Sequence, residues 1–420
     1  MDNYNYFLKG DISGIQEFIF NVPSEGAAKS LKGRSFFVEM LSLIGVEKIK
    51  QQFGKDNVRP FYNGGGNFYL ELVDFSEAQL REIQAELQAT CHHYNFYLAL
   101  ACVAKEATFQ ATWDAVNLAM EKAKLNKFAS YQQGYMPYQA PERRVDKEGE
   151  LQPIFDWKAL SQFFRNNPTT YSLARDPKNE VLANHKGLRV FGWKLTDGEQ
   201  LYEDVNIDLS LPRWNATVKA DSEVAQLIEK ENTIRKSRGE KASDTSNGVL
   251  IEFAYLAGFA GLKSRAHTPK LGILKMDVDD LGFLFDTLAY DEGLVKTVSK
   301  LFGDFFGQRL VSLLKQPVFP QSAATTGPVR YIDNIYPVFS GGDDCFFVGS
   351  WDAILEWTNL LHQAFEELAK VVHQTITNFI EKAEQVPLAL RRIKPCTISS
   401  GIVLLEPSYP VTRFADLAQT

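Results

Sequence analysis

The sequence predicts an α+β protein: two ferredoxin-like (βαββαβ) units with a connecting domain inserted between them. Three observations carry that expectation. The C-terminal half alternates strand-like and helix-like segments in the order β-α-β-β-α-β. A degraded copy of the same layout opens the chain. Two polar stretches then divide the 420 residues into parts of domain size.

In the C-terminal half, Leu271-Gly272-Ile273-Leu274-Lys275-Met276 reads as a buried strand ending at Asp277. Val298, Phe302, Phe306 and Leu310 follow at helical spacing. Two β-prone runs, Ile335–Phe339 and Cys345–Val348, flank Ser340-Gly341-Gly342-Asp343-Asp344, a connection of hairpin length. A long amphipathic helix begins near Asp352, with Leu361, Phe365, Leu368, Val372, Ile376 and Phe379 on one face. Thr397–Leu404 supplies the last strand. In such a unit the helices cover one sheet face, leaving the other open for ligands.

The N-terminal copy is read by alignment of elements. Phe7-Leu8-Lys9-Gly10-Asp11-Ile12-Ser13-Gly14 matches the strand at Lys275–Asp280, with Asp11 in the place of Asp277 and Ser13 in that of Asp279. Asn63-Gly64-Gly65-Gly66-Asn67-Phe68-Tyr69 mirrors the later hairpin, but Gly66 and Asn67 replace its two aspartates. Phe96–Ala101 corresponds to the last strand. Coincidence between two Gly-rich hairpins is the bland alternative, and agreement in element order argues against it. The expected domains are 1–134, 135–248 and 249–420. Tyr135–Pro141 closes the first, and Glu229–Gly248, almost devoid of apolar residues, reads as a loop or linker. Residues 151–228, around Trp157, Phe163, Phe164, Trp193 and Trp214, offer no recognisable chemistry.

The chemistry follows from side-chain direction. Strand alternation puts Lys275 and Asp277 on one face, within reach of Asp343 or Asp344 from the neighbouring hairpin. Carboxylates suit Mg²⁺ or Mn²⁺ rather than zinc. Phosphoryl transfer uses two such cations roughly 3.5–4 Å apart. Asp277, Asp343 and Asp344 are therefore candidate metal ligands and catalytic residues. Gly341 and Gly342 would let a polyphosphate approach without Cβ interference, as would Gly64, Gly65 and Gly66 in the other copy, and Ser340 beside them is a further nucleotide-binding candidate. Ser13 and Gly14 open a helix whose N-terminus favours phosphate, although Ser13 suits a plain N-cap equally. Lys275 adds charge, and Lys32 and Arg34 border the next helix, within reach of a second triphosphate. The bland readings are a solvated Gly-Gly-Asp-Asp turn and an N-cap at Asp277. Asp279 and Asp280 are ligands, caps or solvated loop residues.

Gly10–Phe20, Ala28–Ser35, Tyr62–Phe68, Leu274–Gly282 and Ser340–Asp344 together resemble, in order, the large cyclase-polymerase subunit of type III CRISPR effector complexes, most closely the Csm type. The resemblance implies two palm domains face to face with ATP between them. It implies synthesis of cyclic oligoadenylate second messengers, with the other effector subunits, guide RNA and target RNA as partners. Family members often begin with a nuclease domain marked by a His-Asp pair. This chain opens on the first palm strand and none of its six histidines precedes an aspartate, so cleavage of DNA by that route is not expected. The family usually carries a helical C-terminal domain as well; here the sequence stops at Phe414–Thr420, at the start of a helix, as a split gene, a shortened piece or a minimal variant would each explain.

Two other classes compete. A nucleotide cyclase of the Gly-Gly-Asp-Glu-Phe type, making a guanine dinucleotide, carries Glu where Asp344 stands and works as a dimer of single palms. A non-catalytic scaffold subunit has no reason to keep three carboxylates. Net charge of −7 gives no overall basic character, leaving only local patches such as Arg143-Arg144 and Arg391–Lys394 for RNA or a protein neighbour. The four cysteines form no CxxC pair, which argues against structural zinc. No signal-peptide core or membrane-length apolar run is present, so a cytoplasmic protein without a membrane partner is expected.

Overall fold

The computed structural model describes residues 4–22, 26–64, 66–91, 97–126, short segments between 143 and 261, 268–317, 330–341 and 343–419. Two four-stranded antiparallel sheets dominate them. In the first, β1 (Tyr6–Ser13), β2 (Val58–Gly64), β3 (Asn67–Leu72) and β4 (Tyr97–Ala104) lie in the order β2-β3-β1-β4. Helices α1 (Ile15–Phe20) and α2 (Ala27–Phe53) join β1 to β2, α3 (Glu77–Cys91) joins β3 to β4, and α4 (Phe109–Leu125) follows. The second sheet comprises β5 (Leu271–Val278), β6 (Ile335–Gly341), β7 (Asp344–Ser350) and β8 (Ile398–Leu405), in the order β6-β7-β5-β8. Its helices are α5 (Leu281–Leu288), α6 (Glu292–Asp304), α7 (Trp351–Lys382) and, after β8, α8 (Phe414–Gln419).

The likeness of the two sheets extends to single hydrogen bonds. The Ile12 amide donates to the Gly66 carbonyl at 2.9 Å, and the Val278 amide donates to the Asp343 carbonyl at 2.9 Å. Both hairpins carry a register shift after a proline, at Pro60/Tyr62 and at Pro337/Phe339. Proline cannot donate to a strand ladder, so a bulge on an edge strand is where it is tolerated.

Element formation follows the patterning. Leu361, Phe365, Leu368, Val372 and Ile376 are buried along α7, a rod of about 48 Å at 1.5 Å per residue. Leu274, Met276 and Val278 pack beneath it with α6 residues Val298 and Phe302. The opposite face of β5, expected to lie open for ligands, is largely covered. Leu271 and Ile273 share a core with Phe346, Val348 and first-half residues including Phe20 and Ala28. Burying these apolar side chains stabilises the junction of the halves by about 1.5–3 kcal/mol each. Only Asp277 is exposed on β5.

The halves interlock at several points. The Phe20 ring lies 4.6 Å from that of Phe346, Tyr336 Oη donates to the Ala28 carbonyl at 2.7 Å, and Trp113 Nε1 donates to Asp286 Oδ1 at 2.9 Å. The connecting region contributes a five-stranded sheet, with Trp157 and Trp193 buried. Glu223–Ser237 is helical, overlapping the expected linker. Ala225 and Ile228 are buried, and Asn232 makes two hydrogen bonds with the Ser243 backbone. Phe96, Phe163, Phe164, Trp214 and the 135–141 boundary lie outside the described residues. No described helix is long and apolar enough to cross a membrane.

Candidate active site

The acidic site lies at one end of the second sheet. Asp277 is the penultimate residue of β5 and is paired directly with Asp344, the first residue of β7. Directly opposed residues share a face with Cβ atoms about 4.5–5.5 Å apart. Asp343 occupies the turn, its carbonyl held by the Val278 amide. Asp277 and Asp343 are exposed and Asp344 is half-buried. Desolvation, reinforced by Asp343, raises the Asp277 carboxyl above its ordinary value. Desolvation also raises Asp343. Desolvation and then Asp343 push Asp344 up to about 7, against the pull of Lys275. Among the described residues none of the three makes an ion pair, and no group of three acidic, His or Cys side chains is already arranged as a metal cage.

Two first-half residues reach this site. Lys275 Nζ donates to Gln16 Oε1 at 3.5 Å, and Gln16 Nε2 donates to Asp344 Oδ2 at 3.3 Å. Tyr62, on β2, is pushed up to about 12 by burial and then by Asp343. The hairpin is braced from behind as well. Ser340 Oγ donates to the Phe306 carbonyl at 3.3 Å, within a π turn at Phe305–Arg309 that breaks the regular helical bonding. Gln16 and Tyr62 belong to the motifs quoted above, but nothing local in the sequence marks them as site residues.

The other expected residues are placed as follows. Ser13 ends β1, and its hydroxyl donates to Asp11 Oδ1 at 3.3 Å. Gly14 is the N-cap of α1, left-handed at φ 85° and without a side-chain cap. Because α1 has only six residues, its dipole is too small to form a phosphate site unaided. Lys32 and Arg34 do not border a helix but lie inside α2. Lys32 is buried, which pulls its ammonium down to about 7. Arg34 is turned inward: its guanidinium donates to the Phe18 carbonyl at 2.5 Å and lies 5.1 Å from the Phe18 ring. The same guanidinium lies 6.0 Å from the Trp157 ring. Gly66 takes φ 83°, and a Cβ there would meet Ile15 at 2.5 Å, so its place in the hairpin requires glycine. Gly64 and Gly341 end their strands, while Gly65 and Gly342 lie outside the described residues. Asp279 accepts from Thr397 Oγ1 at 2.5 Å and Ser399 Oγ at 2.6 Å, and Asp280 is a left-handed N-cap of α5.

Fold and site together define an α+β protein with two like-ordered sheets and a carboxylate-tipped hairpin at their junction. A family model described as Csm1 subunit domain B matches residues 4–141, and one described as the second palm domain of Cas10/Cmr2 matches residues 270–420. A Methanocaldococcus jannaschii protein named CRISPR system single-strand-specific deoxyribonuclease Cas10/Csm1 (subtype III-A) is 26% identical, over 98% of this chain and 55% of its own. Its namesake from Mycobacterium tuberculosis is 23% identical, over 96% of this chain and 50% of its own. Among solved structures, a Csm1–Csm4 subcomplex of the type III-A CRISPR-Csm interference complex shares the fold with TM-score 0.65 and 21% identity, over 99% of this chain and 52% of that one. A Csm1–Csm4 cassette in complex with cA4 gives 0.62 and 20%, with the same coverage. Both halves of the chain thus match domain models of Cas10/Csm1-type subunits, and the relatives it resembles are Cas10/Csm1 proteins of subtype III-A. The chain spans about half the length of the curated relatives it matches.

Proposed function

We propose that the chain is a nucleotidyltransferase. It joins ATP into cyclic oligoadenylates at the junction of two ferredoxin-like palm domains, 1–134 and 249–420, with 135–248 connecting them. The observation that carries this reading is the Asp277–Asp344 pair beside Asp343, without a contact ion pair among the described residues and in hydrogen-bond reach of the other half through Gln16. Hard oxygen donors without an ammonium partner fit Mg²⁺ or Mn²⁺. When bound, such cations offset negative charge on the transferring phosphoryl group.

Asp277, Asp343 and Asp344 are the ligands in this reading. Gln16 orients Asp344, and Lys275 holds positive charge at the phosphates. A ribose hydroxyl of one ATP attacks the α-phosphate of the other, and pyrophosphate leaves; positioning and charge do most of the work. The glycine hairpins leave room for the two triphosphates. Ser13 adds a smaller contribution, through Asp11. Relatives solved as Csm1–Csm4 assemblies with cA4, and with AMPPNP, support ATP as substrate and the other effector subunits as partners, with guide and target RNA engaged through the complex.

The test is the double substitution Asp343→Ala/Asp344→Ala in the assembled complex. Both side chains lie at the hairpin, so folding and assembly should survive while synthesis falls by about 10³ or more. Circular dichroism and co-elution with partner subunits check the first part. Product formation retained in that variant would remove the carboxylates from the mechanism.

A further inference from the structure

The two sheets place an aspartate at the same point, and among the described residues only one of the two makes an ion pair. Asp11 is registered opposite Asn67, as Asp277 is opposite Asp344. In the second sheet no described ammonium makes a contact ion pair with the carboxylates: Lys275 donates to Gln16, and its charge acts on them without such a contact. In the first, Lys124 Nζ lies 2.7 Å from Asp11 Oδ1, and the Ser13 hydroxyl donates to the same oxygen. Asp11 is buried, so that ion pair works at lower dielectric than a surface pair.

The lysine is delivered by α4. Asn117 and Lys124 are seven residues apart, hence on one stripe of the helix. Asn117 Oδ1 accepts from Lys9 Nζ at 2.9 Å, and Trp113, a turn before Asn117, stacks on Tyr69 at 5.0 Å. Lys9 and Tyr69 are themselves a register pair on Asp11's face. The helix is therefore fixed over this face at three successive points, the last of which is the ammonium on Asp11. In the second sheet the last strand is followed by a 3-10 turn at Val411–Arg413 and then the six-residue α8. This helix packs on Gly401, where a Cβ would meet the Ala418 carbonyl at 2.1 Å, and brings no lysine to Asp277.

We infer that Lys124 is a built-in cation: its ammonium occupies, against Asp11, the place the second sheet leaves to a divalent ion, and so closes the first sheet to metals. The inference rests on the function proposed above and deepens it. A divalent ion at Asp11 would have to displace a contact ammonium or lie beside it, with only neutral donors, the Ser13 hydroxyl and the Asn67 amide, described next to Asp11. The two nucleotide positions are then unequal, with the metal-bearing position in the second sheet.

Manganese binding measured by calorimetry and electron paramagnetic resonance tests this without recourse to activity. In the native protein, bound Mn²⁺ should vanish with Asp343→Ala/Asp344→Ala; persistence there would contradict the proposed function and leave the Lys124 comparison readable. Asn67→Asp alone should add no ion. Asn67→Asp with Lys124→Gln should add Mn²⁺ that survives loss of Asp343 and Asp344, bound at least about tenfold more tightly than any in Asn67→Asp. Asn67→Asp with Lys124→Arg should stay metal-free at that position. Lys124 is 40% exposed in the last turn of α4, so the glutamine variant should fold; Lys124→Met is the replacement if it does not. An added ion in Asn67→Asp alone, or none with either neutral replacement of Lys124, would overturn the inference.

Discussion

Gln16 is the residue that joins the halves at the candidate site, and its amide is the only side chain described as bonding both Lys275 and Asp344. Hydrogen bonds to charged groups contribute about 1.5–3 kcal/mol, less at these lengths of 3.3 and 3.5 Å. Gln16→Ala should accordingly lower kcat by about three- to tenfold, far less than loss of the aspartates, and lower the melting temperature by no more than about 2–4 °C. Steady-state kinetics beside thermal unfolding would check both parts. A loss as large as that of Asp343→Ala/Asp344→Ala would move Gln16 from positioning to catalysis. The carboxylates were legible because Gly-Gly-Asp-Asp and the strand ending at Asp277 are local patterns. Gln16 was not, since its partners lie 259 and 328 positions away. Arg34 misled for the same reason: a basic residue reads as solvent-facing until the Phe18 carbonyl behind it is known.

At the scale of elements, the packing of α7 on the second sheet depends on two glycines. Gly272 and Gly349 are directly opposed on β5 and β7. A Cβ on Gly272 would come within 2.8 Å of Ile354 and 2.9 Å of the Trp351 backbone. Gly272→Ala should destabilise the protein by about 1–3 kcal/mol through overpacking. Gly303→Ala on α6, where an added Cβ meets nothing within 4 Å, should be neutral or stabilising by up to about 1 kcal/mol. Urea unfolding of the two variants separates packing from backbone entropy, and equal effects would contradict the packing argument. Strand and helix order in the second half followed its apolar spacing closely: the helix expected from Asp352 begins at Trp351, and the strand expected at Thr397 begins at Ile398. The helix at Glu223–Ser237 was hidden because the window from Glu229 omits its buried residues, Ala225 and Ile228. Its polar remainder is held instead by Asn232, through bonds to a loop eleven residues on.

Across the whole molecule, Glu71 ties the halves electrostatically. Its carboxylate is 1% exposed and accepts from Arg59 at 2.7 Å and Lys105 at 2.6 Å in the first half, with Lys296 of the second at 3.4 Å. Burial alone would raise it, but hydrogen bonds from Arg59 and Lys105 hold it down to about 2, against an ordinary 4.5. A depressed carboxyl gives stability that is fully present above pH 4.5 and is lost as pH falls toward 2. Glu71→Gln should therefore cost about 2–3 kcal/mol at neutral pH, discounted for the partly exposed cations, and flatten the acid side of the stability profile. An unchanged acid profile in unfolding measured from pH 2 to 7 would show that the cluster is not a clamp. The central claim, that the joined halves polymerise ATP at the second hairpin, is tested most directly by mass spectrometry of products. The complete complex would be given Mn²⁺, matching target RNA and either ATP or GTP, beside Asp343→Ala/Asp344→Ala. Cyclic oligoadenylates from ATP, absent in the variant, are the predicted result; a cyclic guanine dinucleotide, or no nucleotide product at all, would contradict it.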